Sequence, residues 1–414
     1  MNSSVAAFRA RPGVPLLAPA EARERSIRRR VGITWGLLLL NALTYSGSVL
    51  HIPSALGKGA TQAALPLALI MALTVNRRII VRPNVLLCLV SLLVIEALIT
   101  SLQPQHVGTV YRTFRFAEFV ATLWLLSPWW GRRDLLLVRC HLVSLAVTLG
   151  SVVLGLLVVP GHALDGGRLT GVLWSIPPPQ VAHYAAVTTG LVIVLWLGGR
   201  LRGRVTLAVV AGAGTILLLT HTRTALLGMI LGVFIAGLSL IAAKARIRKL
   251  FAAAGAVAAV VIITASSVIT GWLARGEGTT ALDNLTGRTK VWGPLLAFPR
   301  DKFQEILGFG LSNSSFNGLP IDSTWLSSYQ EQGLFGVVLC ATILLFLFVS
   351  AYFQPRGIQR ALALFLVSYC LVASFTEDSF SDVTPYLLDL TLAASLLVSS
   401  VAGKRTAQLG REST

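Results

Sequence analysis

Apolar residues run along this chain in long blocks, separated by short polar segments that are rich in arginine. The blocks occupy 31–50, 60–75, 84–101, 116–130, 135–159, 181–198, 205–220, 224–243, 250–271, 333–353, 359–375 and 384–402. About 20 such residues cross a hydrocarbon core about 30 Å thick. The pattern therefore predicts an all-α polytopic membrane protein with about twelve transmembrane helices. Residues 205–243 are almost unbroken; as one helix they would measure roughly 60 Å, twice the core. The stretch is expected to fold back at its one polar break, Thr220-His221-Thr222-Arg223-Thr224.

Basic residues decide the orientation. If the N-terminus is cytoplasmic, 24 of the 35 Lys and Arg fall in cytoplasmic tails and loops, ten fall outside, and Arg139 lies at the start of a span. Each of the seven cytoplasmic segments then carries at least two of them, as the positive-inside rule requires. Adding or removing one span would reverse half the loops and destroy the agreement. The expected layout is a cytoplasmic tail at 1–30, helices one to nine over 31–271, a large extracytoplasmic loop at 272–332, helices ten to twelve over 333–402, and a cytoplasmic tail from 403 to 414. The first thirty residues lead into an apolar run long enough to span, which points to an uncleaved first helix. Roughly 1–25 and 404–414 are expected to be disordered.

Composition agrees with a lipid environment: 54% of residues are hydrophobic and 13% charged, against about 45–50% and 25% in soluble domains. A net charge of +18 in a soluble protein would point to nucleic acid. Here the charge sits in short loops, where it orients the chain and meets anionic membrane lipids, so nucleic acid is not an expected partner. Cys88, Cys140, Cys340 and Cys370 all lie in apolar runs with no Cys-x-x-Cys pair, and no His, Asp or Glu spacing resembles a metal site.

Candidate chemistry lies in the segments assigned to the outer side. Arg223 occupies the tight hairpin between two apolar helices. It is either an interfacial arginine that snorkels to headgroups or a guanidinium that holds a phosphate through paired hydrogen bonds. His221 beside it is either an interfacial histidine or a supporting polar group. If 286–296 is helical, Arg288 falls between Trp292 and Leu295 on the apolar face and Lys290 points away, although Pro294 is expected to kink or end that helix. Asp322 lies just before the tenth apolar run, as a general base for a sugar hydroxyl or as a helix cap. Glu331 follows as a further supporting candidate. The ionisable residues noted within the runs are few: Glu96, Glu118, Arg139 and Asp389.

Taken in order, Thr222-Arg223-Thr224-Ala225 with Leu227-Gly228, Gly287-Arg288 with Trp292, Gly308-Phe309-Gly310, and Asp322 through Gly336 resemble the O-antigen polymerase and O-antigen ligase superfamily. The match covers roughly 215–345, about a third of the chain. The resemblance implies a GT-C-like fold and a glycosyltransferase of the outer leaflet that needs neither metal nor cofactor. Its donor would be a glycan on undecaprenyl diphosphate, and its acceptor a glycan or lipid-linked glycan. Arg223 and Arg288 would bind the diphosphate, and Asp322 would stand where the ligases usually carry histidine followed by asparagine. Asp322-Ser323 therefore favours a polymerase over a ligase. The rival expectation is a secondary transporter or a flippase for lipid-linked oligosaccharide.

Overall fold

The computed structural model describes residues 17–43, 53–102, 107–241, 288–312, 314–377, 380 and 382–398. In chain order the helices are α1 (Leu17–Ala42), α2 (Ser54–Val75), α3 (Val85–Ser101), α4 (Val107–Leu126), α5 (Leu136–Val158), α6 (Pro160–Ala163), α7 (Pro178–Leu197), α8 (Gly203–Leu219) and α9 (Arg223–Ile241). They continue with α10 (Thr289–Ala297), α11 (Lys302–Leu307), α12 (Thr324–Phe353), α13 (Ile358–Ala373) and α14 (Pro385–Leu397). Two short antiparallel hairpins interrupt them: β1 (Leu164–Asp165) with β2 (Arg168–Leu169), and β3 (Ser315–Phe316) with β4 (Leu319–Pro320).

The molecule is an all-α membrane protein. Eleven of the twelve apolar runs coincide with described helices, and among the described residues five helices are long and apolar enough to cross a membrane: Ala55–Val75, Leu136–Val158, Pro178–Leu197, Arg223–Ile241 and Thr324–Phe353. The run 250–271, the basic loop 244–249 and the tail 403–414 lie outside the described residues, as does the first part of the loop 272–332.

Helices α7, α13 and α14 form the centre, with almost every side chain buried. The surrounding helices turn large apolar side chains outward, Leu98, Val147, Leu157 and Leu345 among them. In water such a surface would be a liability; against lipid tails it is neutral. Lipid also removes the usual hydrophobic drive between helices, so close packing of small residues has to hold them together. On α9, Gly228 and Gly232 supply that contact: a Cβ at the first would meet the Tyr369 ring of α13, and at the second Phe365. This antiparallel pairing carries the start of α9 to the end of α13.

Three boundaries differ from the sequence expectation. Helix α1 begins at Leu17, within the tail expected to be disordered, because Glu21 pairs with Arg25 at 3.5 Å and Glu24 with Arg28 at 3.1 Å across single helical turns. Arg132 then contacts Glu24 at 2.8 Å and Asp134 at 3.1 Å, fastening that helix to the loop before α5. Helix α4 starts at Val107 and takes in Arg112 and Arg115. Arg112 pairs with Asp382 at 3.5 Å, and Arg115 donates to the side chain and carbonyl of Asn41 at 3.1 and 3.0 Å. Helix α12 starts at Thr324 and passes a break at Gly333, where φ is 63°.

Candidate functional site

The hairpin between α8 and α9 turns where the polar break predicts. Thr220 closes α8 by donating to Leu217 O at 2.6 Å, and His221 takes a left-handed φ of 51° that sends the chain back. Arg223 opens α9. Its Nε is buried and has no hydrogen bond among the described residues. A second arginine reaches the same turn from a distant segment. Arg168, on the β1–β2 hairpin, donates through Nε to Thr220 O at 3.0 Å and through Nη2 to Thr222 Oγ1 at 3.4 Å. Burial pushes the Arg168 guanidinium down from its ordinary pKa, and the nearby Glu377 carboxylate pushes it back up.

Arg288 arrives from the other side. It stands immediately before α10, with Lys290 exposed and Val291 and Leu295 buried. The expected faces are therefore present, and Pro294 does not end the helix at its own position, since α10 continues to Ala297. Trp292 donates to Ile321 O at 2.8 Å and so ties α10 to the residue before Asp322. Arg288 Nη2 donates to Thr376 O at 2.8 Å, and Arg288 Nε lies 3.8 Å from Asp322 Oδ2. The Thr376 hydroxyl in turn donates to Thr224 Oγ1 at 2.8 Å. Arg223 and Arg288, far apart in sequence, thus flank the same short turn after α13.

Asp322 does not cap a helix. The capping position of α12 belongs to Ser323, whose side chain makes no cap hydrogen bond, and Asp322 precedes it at a left-handed φ of 45°. Partial burial raises the Asp322 carboxyl above its ordinary pKa, and the Arg288 charge opposes that rise. A carboxylate shifted upward yet beside a guanidinium suits proton transfer better than a fully solvated one.

The Gly-Phe-Gly and Glu-x-Gly motifs pack against each other. Phe309 N donates to Gln330 O at 3.0 Å and Gly310 N to Glu331 O at 2.8 Å. Gly308 and Gly333 meet backbone to backbone: a Cβ on either would collide with the other's segment, and both have positive φ, 73° and 63°. Glu331 has a structural task. Its Oε1 accepts from Ser312 N at 3.0 Å, Ser312 Oγ at 2.7 Å, Ser314 N at 2.8 Å and Ser314 Oγ at 3.4 Å. A carboxylate oxygen with four donors is a poor base. Arg300 is similarly engaged, stacked 4.1 Å over Tyr329 and bonded to Tyr329 O, Leu295 O and Gln330.

A second buried polar group escapes the sequence reading. His141 of α5 and His183 of α7 place Nε2 at 3.0 and 3.3 Å from the two oxygens of Asp389 on α14. Trp35 Nε1 donates to His141 Nδ1 at 3.1 Å. Because an indole only donates, the ring proton of neutral His141 sits on Nε2, towards Asp389. Tyr369 OH lies 3.1 Å from His183 Nδ1. All of these side chains are buried.

The sequence candidates thus divide. Arg288 and Asp322 lie beside the turn that follows α13, and the hairpin that carries His221 and Arg223 reaches it through Thr224, whereas Glu331 holds the loop at Ser312 and Ser314. Arg168, Thr376 and Glu377 join the site without having been singled out, and nothing local marks them, since each contact is made across the fold. The arrangement offers guanidinium donors for an anion, with one carboxylate at its edge. No family model matches the chain, and no curated protein matches it.

Proposed function

We propose that this chain is a glycosyltransferase of the plasma (inner) membrane that takes its glycan from an undecaprenyl-diphosphate-linked donor on the outer face. In this reading the chain crosses the membrane about twelve times in a GT-C-like layout, with both termini cytoplasmic and 272–332 outside. The observation that supports it most is the convergence at Thr376 of Arg288, bonded to its carbonyl, and of Thr224, the neighbour of Arg223, bonded to its hydroxyl; both arginines have a buried Nε that makes no hydrogen bond among the described residues. A buried donor without a hydrogen bond costs about 1–3 kcal/mol; a diphosphate would satisfy the Nε of Arg223 and share that of Arg288 with Asp322, 3.8 Å away.

The chemistry follows from that placement. The acceptor hydroxyl attacks the anomeric carbon of the donor sugar while Asp322 takes its proton, and the bond from that carbon to the diphosphate oxygen breaks. Negative charge grows on the leaving diphosphate, where the arginines stabilise it. Nucleotide sugars are cytoplasmic, so a transferase on the outer face needs a lipid-borne donor. Asp322-Ser323, in the place where the ligases of the resembled family usually carry His-Asn, favours polymerisation over a single transfer. Incubating purified protein with a lipid-linked repeat unit in EDTA tests the reading. Chain growth supports a polymerase and one transfer to a different acceptor a ligase; no transfer at all defeats both.

One observation favours a second reading, a transporter or flippase for lipid-linked oligosaccharide. Ionisable groups inside a membrane bundle are expensive and mark transport paths or proton relays, and His141, Asp389 and His183 form such a group. Movement of a fluorescent lipid-linked oligosaccharide across proteoliposomes, lost in Asp389→Asn and without glycan transfer, would select it.

A further inference from the structure

Two sets stand out among the arginines at the end of the molecule remote from this site. Arg25, Arg28 and Arg132 pair with Glu21, Glu24 and Asp134. Arg23, Arg30, Arg77 and Arg78 have no acidic partner among the described residues, and all four line a single cavity of about 800 Å³. The cavity lies between residues 23–30 of α1, the end of α2 and the helical turn Ser127–Trp129. Among the described residues no carboxylate lines it, so four positive charges face one space.

The turn that carries two of them is rigidly built. Asn76 donates to Ile80 O at 2.6 Å and Leu125 O at 3.0 Å, and accepts from Ile80 N at 2.9 Å. Ile79 is held at a φ of 47°, a conformation that β-branched residues rarely adopt and that persists only where surrounding contacts impose it. The result fixes Arg77 and Arg78 at the rim. Trp129 and Ile27 supply an apolar wall beside the charges, as tryptophan does at a membrane–water boundary.

We infer that this cavity binds a phosphate group, carried by the headgroup of an anionic phospholipid whose chains lie along the apolar wall. Guanidinium forks match phosphate oxygens in pairs, and basic pockets at the ends of membrane helices take such headgroups. The site is separate from the proposed transferase site, and its occupancy is measurable without any activity.

The test titrates the full chain in detergent with short-chain phosphatidylglycerol, phosphatidylcholine or inorganic pyrophosphate, reading tryptophan fluorescence and melting temperature. Phosphatidylglycerol should bind in preference to phosphatidylcholine, and more weakly as salt rises. Arg77→Gln/Arg78→Gln and, separately, Arg23→Gln/Arg30→Gln should each weaken it about tenfold. Arg25→Gln, off the cavity, should leave it unchanged. Lipid-free melting temperatures equal to wild type show that a variant is folded; if one pair misfolds, the other decides. Pyrophosphate binding with the same arginine dependence, and no phosphatidylglycerol effect, supports the phosphate site and assigns it to a soluble anion. Equal binding of the two lipids together with no pyrophosphate binding, or unchanged binding of every anion in a folded double variant, overturns the inference.

Discussion

Arg288 and Thr376 are joined by a hydrogen bond of 2.8 Å from the guanidinium Nη2 to the main-chain carbonyl. The bond fixes one face of the arginine and leaves its other nitrogens facing Asp322 and the turn. A main-chain acceptor survives any side-chain change at position 376, so the orientation of Arg288 depends on the path of the chain and not on one residue's chemistry.

Lysine should not replace arginine at either position. Arg223→Lys and Arg288→Lys keep the charge but lose the planar fork, and turnover with a lipid-linked donor should fall about 10²–10³-fold, the usual effect of removing a donor that faces developing charge. Near-normal turnover in Arg223→Lys, at normal protein levels, would leave that arginine as a membrane-interface anchor only.

Asp322→Asn should lower turnover about 10²–10⁴-fold with donor binding largely retained, as loss of a general base does. Asparagine tolerates the left-handed backbone, and position 322 caps no helix, so the melting temperature should hold. Full activity in this variant would remove Asp322 from the reaction.

The pH profile should carry the same signature. A base works in its ionised form, so turnover rises with pH as Asp322 loses its proton. Burial raises the carboxyl, which places the acidic limb above the ordinary aspartate value of about 3.9. Arg288→Gln removes the charge that opposes the rise and should move the limb to still higher pH. A limb that shifts downward, or stays fixed, in that variant contradicts the assignment.

Orientation is open to labelling. Cysteine at position 290 should react with an impermeant reagent on intact cells, and cysteine at position 202 should react only after permeabilisation. The reverse result would invert the topology.

Gly333→Ala should destabilise the protein by about 1–3 kcal/mol, since the new Cβ meets the Ile306 carbonyl and the backbone is left-handed. Detergent-solubilised melting temperature measures it, and an unchanged value would mean that the contact with Gly308 relaxes freely.

Much of this architecture is legible in the sequence. Apolar runs of nearly membrane length leave few alternatives to helices, and the polar break at Thr220 marks the α8–α9 turn because nothing else interrupts it. Arg223 stands out as a cation in the hairpin between two apolar helices, and Arg288 as one on the apolar face of a short helix pattern. Arg168 does not: it reaches Thr220 from a hairpin fifty residues upstream in the chain, and no local pattern encodes that distance. Histidines 141 and 183 are missed for another reason. A count of Lys, Arg, Asp and Glu passes over histidine, and only the bundle's packing reveals that both face Asp389. Glu331 carries a candidate's signature, an acid among glycines, yet its role depends on Ser312 and Ser314, which reach it through a loop.

The four donors on that one oxygen of Glu331 have a consequence for how inactivating changes are interpreted. Ser312 and Ser314 lie on the segment that leads directly to Asp322, so Glu331 sets where the neighbouring aspartate stands. An alanine scan would score both acids as essential and could not separate the residue that moves a proton from the one that holds the floor beneath it. Glutamine tells them apart: at position 331 it keeps an acceptor oxygen and should retain part of the function, whereas the asparagine variant at 322 should retain almost none.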